Sequence, residues 1–178
     1  IEECILKLES GTVEIANYNS PAQIVISGEK AAVEEAAVLL KENGAKRAIM
    51  LDVSGPFHSS LLKGAGEKLK LELDKVDMKE PSVDVVSNVD ASIHKDPDEI
   101  KSILVKQVYS SVLWEDSISK LIDEGFDRFI EIGPGKTLRA FIKKIASKKK
   151  ADVEIINIDT AADVNAFIES IGGEANGN

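Results

Sequence analysis

Residues 52–60, with the sequence DVSGPFHSS, place an acid-base group in a segment that can continue neither a helix nor a strand. His58 is one of two histidines in the 178-residue chain. Imidazole titrates near neutral pH, so this side chain suits a general base. Ser59 and Ser60 follow it directly, but neighbours in sequence seldom reach the geometry that a base and its nucleophile need. We therefore expect these serines to cap the helix after the loop.

A second segment, EIGPGKTL, ends like a phosphate-binding loop in Gly135, Lys136 and Thr137. The full motif needs a glycine five positions before Gly135, where the chain has Ile130. We therefore predict a tight strand-to-helix turn instead of a nucleotide site. The sequence also contains no Gly-x-Ser-x-Gly nucleophile elbow. The other histidine, His94, stands among charged residues and is expected to be exposed.

Composition limits the class of protein and of partner. A net charge of −9 and a pI near 4.8 argue against nucleic acid or an anionic membrane as partner. The chain lacks an apolar run of membrane-spanning length and its start does not resemble a secretory signal, so we expect a soluble, cytoplasmic protein. A single cysteine, Cys4, excludes an internal disulfide and a multi-cysteine metal site. We expect neither a metal nor an organic cofactor.

The first third of the chain predicts the order helix, strand, strand, helix, strand. Residues 12–27 alternate around an Asn-Ser-Pro turn, residues 33–40 repeat at helical spacing, and Gly44 supplies a left-handed stop. AKRAIMLDV at 45–53 is predicted to be the last strand. This order is that of a ferredoxin-like unit without its first strand, which would lie inside the sheet. Its loss would leave backbone groups unpaired, so we expect a preceding segment to supply it.

The rest of the chain alternates strands with helices, which indicates a parallel sheet covered by helices. One helix should begin with Asp96 as N-cap, Pro97 in first position and Glu99 completing a capping box. The predicted strands are VDVVSN, DRFIEIG and VEIINI, and the other predicted helices cover 62–76, 114–122, 134–146 and 161–171.

Five segments, at these separations, together resemble one protein family: ANYNSPAQIVISG, GAKRAIMLDVSGPFHSSLL, VVSNVD, VKQVYSSVLWEDSI and EIGPGKTL. The chain resembles the C-terminal half of malonyl-CoA:acyl carrier protein transacylases, from Ile1 to about Ala146. The resemblance implies an α/β fold. Residues 1–53 would form an incomplete ferredoxin-like subdomain and 54–171 the C-terminal part of an α/β-hydrolase-like catalytic domain. The composition of 172–178, GGEANGN, separately predicts a disordered tail.

The resemblance also implies an activity and a set of site residues. The family moves a malonyl group from malonyl-CoA to a serine, then to the phosphopantetheine thiol of acyl carrier protein. His58 matches the catalytic histidine, and Gln107 matches the position whose backbone carbonyl holds the other ring nitrogen. Asn17 and Asn19 match the cleft and would contact substrate or position a loop, with turn-forming asparagines as the alternative. Phe57 is typical of malonyl over methylmalonyl selection.

The family's serine, its oxyanion loop and its carboxylate-binding arginine have no counterpart in this sequence. We therefore predict that the chain alone is inactive and depends on an N-terminal segment that carries the nucleophile. Acyl carrier protein is acidic, so it should dock on a basic strip, for which Lys46, Arg47 and Lys136 are candidates.

Two other functions remain open on the sequence. A non-catalytic ferredoxin-like binding module would give His58 no role in acyl transfer. An acyl-ester hydrolase would use the same base but would release free malonate.

Overall fold

The computed structural model describes residues 1–8 and 11–175. In chain order the elements are α1 (Glu2–Ile5), β1 (Val13–Ser20), β2 (Gln23–Gly28), α2 (Lys30–Glu42), a 3₁₀ turn (Ser60–Leu62), α3 (Lys63–Leu73), α4 (Pro97–Gln107), α5 (Trp114–Asp123), β3 (Arg128–Ile132), α6 (Thr137–Lys149), β4 (Glu154–Ile158) and α7 (Ala161–Ala175). Contacts divide them into two compact units, one of residues 1–19 and 23–117, the other of 20–22 and from 118 onward. The division predicted after residue 53 falls inside the first unit.

The first unit is built on the predicted β1–β2 pair. The turn between the strands is so short that they must run antiparallel. Val13 of β1 and Ala32 and Ala36 of α2 are buried together, since alternation in the strand and a four-residue spacing in the helix each bring small apolar side chains to one side. The chain leaves α2 through Gly44, whose φ of 96° confirms the predicted left-handed stop.

Two predicted strands are absent, at residues 45–53 and 83–88. The first is irregular, with Ile49 70% and Val53 61% exposed. The second is reduced to one bridge, between Val86 and Ile93. A strand forms where a neighbouring strand takes up its backbone hydrogen bonds, and within the described residues no strand does so for either segment.

Helices α3 and α4 flank the histidine loop and pack closely on each other. Gly66 of α3 lies where an added Cβ atom would be 2.8 Å from the ring of Tyr109, just beyond α4. Asp96 caps α4 as predicted, with Oδ1 accepting hydrogen bonds from the backbone N–H groups of Asp98 (3.0 Å) and Glu99 (2.8 Å). The predicted capping box is not formed, because the Glu99 carboxylate lies beside His94 instead.

The second unit contains the predicted parallel pair, in which Arg128 of β3 is opposite Glu154 of β4 and Ile132 is opposite Ile158. The crossover helix α6 packs against the pair and buries four side chains: Phe141, Ile142, Ile145 and Ala146. Helix α7 continues to Ala175 and so includes the first four residues of the predicted tail, while residues 176–178 lie outside the described part. No helix among the described residues is long and apolar enough to cross a membrane.

Candidate active site

His58 is half-buried and has a left-handed backbone, with φ at 57°. This conformation is uncommon outside glycine and costs about 1–2 kcal/mol, so surrounding contacts must hold it. The ring atom Nδ1 lies 3.0 Å from the backbone oxygen of Gln107, at the end of α4. A carbonyl oxygen can only accept a hydrogen bond, so this contact requires the proton on Nδ1. Nε2 then keeps its lone pair and can act as a base.

The serines after His58 fix the loop in a different way from the one predicted. Ser59 occupies the N-cap position of the 3₁₀ turn, but its buried hydroxyl donates to the Pro56 oxygen at 2.7 Å and caps nothing. Ser60 donates twice to the Glu14 carboxylate of β1, through its N–H to Oε2 at 2.9 Å and through its hydroxyl to Oε1. Contacts to two separate parts of the chain therefore hold the residues next to His58.

The imidazole borders an apolar groove of about 290 Å³. Besides His58 and Gln107, the groove is lined by aliphatic side chains of α3 and of the α4 end: Leu69, Leu73, Leu104 and Val108. Apolar walls lower the local dielectric and so strengthen the hydrogen bond at Nδ1.

The remaining predicted site residues lie on β1 and in the loop. Asn17 and Asn19 are both inside β1, and Asn17 forms a parallel bridge with Val112. The turn falls at residues 21 and 22, so neither asparagine forms it, contrary to the alternative. Phe57 is 51% exposed beside the histidine. A contact of these side chains with substrate stays a prediction.

His94 was predicted to be exposed, and this prediction is wrong, since only 15% of its side chain is accessible. Its Nε2 lies 2.9 Å from Asp90 Oδ2 and its Nδ1 3.3 Å from Glu99 Oε2. Burial lowers the pKa of His94, but the hydrogen bonds and charges of Glu99 and Asp90 outweigh this effect, so the pKa is raised above its ordinary value. This cluster joins the 90–94 turn to the start of α4. Among the described residues, no group of three or more histidine, cysteine or acidic side chains could hold a metal ion.

The GPGK segment forms the tight turn predicted for it. Gly133 and Gly135 have φ values of 131° and 94°. The Glu131 carboxylate accepts hydrogen bonds from the backbone N–H groups of Leu138 (3.0 Å) and Arg139 (2.9 Å), in the first turn of α6. The protein's own carboxylate thus takes the donors that a phosphate would need.

One residue of the site went unnoticed in the sequence. Glu14 interrupts the apolar positions Val13 and Ile15 of β1, so it must project from the opposite face of the strand. The alternation of β1 in the sequence could have indicated that Glu14 points away from the core. It could not have indicated the partner of Glu14, because Ser60 lies 46 residues away.

Comparison with known proteins places the chain in a family. The family model described as acyl transferase domain matches residues 1–170. The chain belongs to the acyl transferase domain family. The malonyl CoA-acyl carrier protein transacylase of Bacillus subtilis is 54% identical over 142 residues, which are 80% of this chain and 45% of that protein. The protein of the same name from Haemophilus influenzae is 40% identical over 169 residues, covering 95% of this chain and 53% of its own length.

Solved structures show the same α/β fold. The malonyl CoA-acyl carrier protein transacylase of Clostridium perfringens superposes with a TM-score of 0.88 at 42% identity, over 98% of this chain and 54% of its own. A malonyl transacylase in complex with a type II polyketide acyl carrier protein gives a TM-score of 0.88 at 34% identity, over 95% of this chain and 53% of its own. The chain thus spans about half the length of the relatives that it matches.

Proposed function

We propose that this chain supplies the general base for transfer of a malonyl group from malonyl-CoA to acyl carrier protein through a seryl ester, in fatty acid biosynthesis. The observation that carries the proposal is the contact of His58 Nδ1 with the Gln107 oxygen, which leaves Nε2 as an acceptor. Membership of the acyl transferase family and the names of the relatives support it. Because those relatives are about twice as long, we propose that the serine belongs to polypeptide outside residues 1–178.

The proposed reaction has two half-reactions that share one proton acceptor. His58 Nε2 takes the proton of the serine hydroxyl as its oxygen attacks the thioester carbonyl, and the carbon–sulfur bond breaks. The same proton passes from Nε2 to the departing coenzyme A thiolate. The carrier thiol then gives its proton to Nε2 and attacks the seryl ester, and the serine oxygen leaves with that proton. The other proton stays on Nδ1 throughout and remains hydrogen-bonded to the Gln107 carbonyl oxygen.

A carbonyl partner differs from the carboxylate that usually orients a catalytic histidine. It fixes the tautomer and the ring plane but carries no full negative charge, so it stabilises the imidazolium less than an aspartate would. A thiol is a better leaving group than an amine and needs less help from an acid, which suits this arrangement. The side chain of Gln107 plays no part in the contact.

Selection among acyl groups is assigned to Phe57, with Asn17 and Asn19 as further substrate contacts. A bulky ring next to His58 would exclude a methyl branch on the acyl α-carbon, and discrimination of one methyl group is typically about 1–3 kcal/mol. We propose that Phe57 favours malonyl over methylmalonyl groups.

The finer architecture and the setting belong to the same proposal. Residues 1–53 would be an incomplete ferredoxin-like subdomain and the following residues part of an α/β-hydrolase-like domain. The enzyme would act in the cytoplasm. It would need neither metal nor organic cofactor, because the serine hydroxyl, the imidazole, the thioester and the carrier thiol together supply all the groups that the proposed reaction uses.

Replacement of His58 tests the proposal. The test uses a fusion polypeptide in which residues 1–178 are joined to the part of the Bacillus subtilis protein that this chain does not match. The fusion polypeptide would be loaded with labelled malonyl-CoA and then given acyl carrier protein. His58→Ala should slow both half-reactions about 10²–10⁴-fold. His94→Gln is the matched control and should stay within about twofold, since a general base acts only where it reaches the reacting proton. Activity preserved in His58→Ala would favour the non-catalytic binding module, and release of malonate faster than loading of the carrier would favour the hydrolase.

Docking of the carrier can be separated from the chemistry in the same assay. Charge reversal at Lys46, Arg47 or Lys136 should slow only the second half-reaction, because the acidic carrier would lose electrostatic attraction while malonyl-CoA loading is unaffected. An equal loss in both half-reactions would exclude these residues as the docking site.

A further inference from the structure

The Glu14 carboxylate is the direct link between strand β1 and the histidine loop. Both of its oxygens accept hydrogen bonds from Ser60, one from the backbone N–H at 2.9 Å and one from the hydroxyl. Hydrogen bonds to an ionised acceptor are about twice as strong as those between neutral groups, and Glu14 and Ser60 are both partly buried.

Strand β1 also holds the segment that follows Gln107. The backbone N–H of Val112 donates to the Ala16 oxygen at 2.8 Å, and the N–H of Tyr18 donates to the Val112 oxygen at 2.9 Å. The Ser111 hydroxyl donates to the oxygen of Ile15. Residues shortly after the base and shortly after its acceptor are therefore both bound to one strand.

Only Ser59 separates His58 from the residue that Glu14 binds. Ser59 is fully buried and its hydroxyl is bound to Pro56, so it has little freedom to absorb a shift. The left-handed backbone of His58 is a strained conformation that relaxes unless its flanks are held. Release of Ser60 would therefore be transmitted to the imidazole.

We infer that Glu14 is a positioning residue for the proposed acyl transfer. It holds Ser60, and through it the His58 ring, at hydrogen-bond distance from the Gln107 oxygen, so that the neutral imidazole keeps its proton on Nδ1 and its lone pair on Nε2. The inference rests on the proposed function of His58 as general base.

The tautomer of His58 gives a readout that does not require activity. The full 178-residue chain with ¹⁵N-labelled histidine would be studied by NMR at alkaline pH, where imidazole is neutral. The ring nitrogen shifts report which nitrogen carries the proton, and His94→Gln removes the only other histidine for assignment. The wild-type chain should show the Nδ1–H form at His58. Glu14→Ala should lower the ratio of Nδ1–H to Nε2–H about fivefold, the factor expected for loss of one ordinary hydrogen bond.

Two further variants separate positioning from charge and from stability. Glu14→Gln should restore the wild-type ratio, because the amide oxygen can accept from the Ser60 N–H while its NH₂ group donates to the Ser60 hydroxyl. Glu154→Ala is the matched control: it also removes a strand carboxylate, one that pairs with Arg128 at 2.6 Å, and should leave the ratio unchanged. A merely structural role for Glu14 would lower the melting temperature without changing the tautomer of the folded chain.

The outcomes distinguish this inference from the function on which it rests. An unchanged tautomer ratio in folded Glu14→Ala would overturn the inference and leave the role of His58 intact. If Glu14→Ala does not fold, Ser60→Ala carries the test, since it removes one of the two contacts and should lower the ratio by a smaller factor; no change there would equally overturn the inference. Activity retained by His58→Ala would instead refute the proposed function, whatever the tautomer shows.

Discussion

Replacing Gly66 by alanine should loosen the packing of α3 on the end of α4. This packing helps to hold His58, which lies shortly before α3, close to the oxygen of Gln107, which ends α4. A Cβ atom at residue 66 would lie 2.8 Å from two ring carbons of Tyr109 and 3.2 Å from the Val105 oxygen. Carbon atoms pack at about 3.5–4.0 Å, so the ring or a whole helix has to move. Overpacking of this kind typically costs about 1–3 kcal/mol. We therefore expect Gly66→Ala to lower the free energy of unfolding.

A second glycine on the same helix provides the matched control. A Cβ atom at Gly64 would meet no atom within 4 Å. Alanine in place of glycine stabilises a helix by up to about 1 kcal/mol, and this gain in helix propensity applies to both variants. Gly64→Ala should thus be at least as stable as the wild type. The difference between the two variants isolates the steric cost, which we place at about 1–3 kcal/mol.

Urea unfolding of the 178-residue chain and its two variants measures this difference, provided that the free energy of unfolding falls with urea concentration at the same slope in all three. The same displacement should weaken the hydrogen bond from His58 to the Gln107 oxygen, because His58 shortly precedes α3 and Gln107 ends α4. A Gly66→Ala chain as stable as Gly64→Ala would refute the argument that α3 and α4 are in tight contact at this point.

Two further predictions concern the start of α4. Asp96→Ala should cost about 1 kcal/mol of unfolding free energy, because the N–H groups of Asp98 and Glu99 lose their acceptor, and Asp96→Asn should cost only a few tenths; equal losses in urea unfolding would contradict the capping role. The pKa of His94 is raised in the folded chain, so its interactions with Asp90 and Glu99 stabilise the fold fully below the ordinary value of 6.5 and are lost as pH rises through the folded pKa. The gap in stability between the wild type and His94→Gln should therefore shrink as pH rises, and a gap independent of pH would show that the imidazolium contributes nothing.

Two helix ends could be predicted from the sequence because their signals are local, whereas the cap expected at Ser59 and Ser60 was wrong. Asp96 and Pro97 mark the start of α4 within two residues, and Gly44 supplies the predicted stop after α2. The partners of each signal lie within a few residues of it, so no knowledge of the fold is needed.

Strands could not be predicted with the same success. Residues 45–53 and β4 are both apolar and rich in β-branched or aliphatic side chains, yet only β4 is a strand. The difference is that β3 lies beside β4 and takes up its backbone hydrogen bonds, whereas residues 45–53 have no such neighbour among the described residues. A pairing partner is a property of the fold and leaves no mark on the segment itself.

The site shows a further limit of the same kind. The acceptor for His58 is a main-chain oxygen, and every residue has one, so no residue type indicates that it is Gln107. Resemblance to a family supplied that position, which the residues alone could not. The prediction that His94 is exposed was wrong for a related reason. Asp90 contacts the imidazole across a turn in which Ala91 has a left-handed backbone, with φ at 52°. An alanine gives no sign of that conformation in the sequence.

Strand β1 explains how a strained loop can hold a base accurately. The anchors of the base and of its acceptor fall on consecutive residues, with Ser60 bound to Glu14 and the segment after Gln107 bound to residues 15 and 16. A rigid shift of β1 therefore displaces both partners together and leaves the distance between Nδ1 and the carbonyl oxygen unchanged. Anchors on two separate elements would let each relative motion of those elements alter the hydrogen bond. The accuracy of the base thus depends on the stiffness of one short strand segment and of the short stretches that join it to His58 and to Gln107.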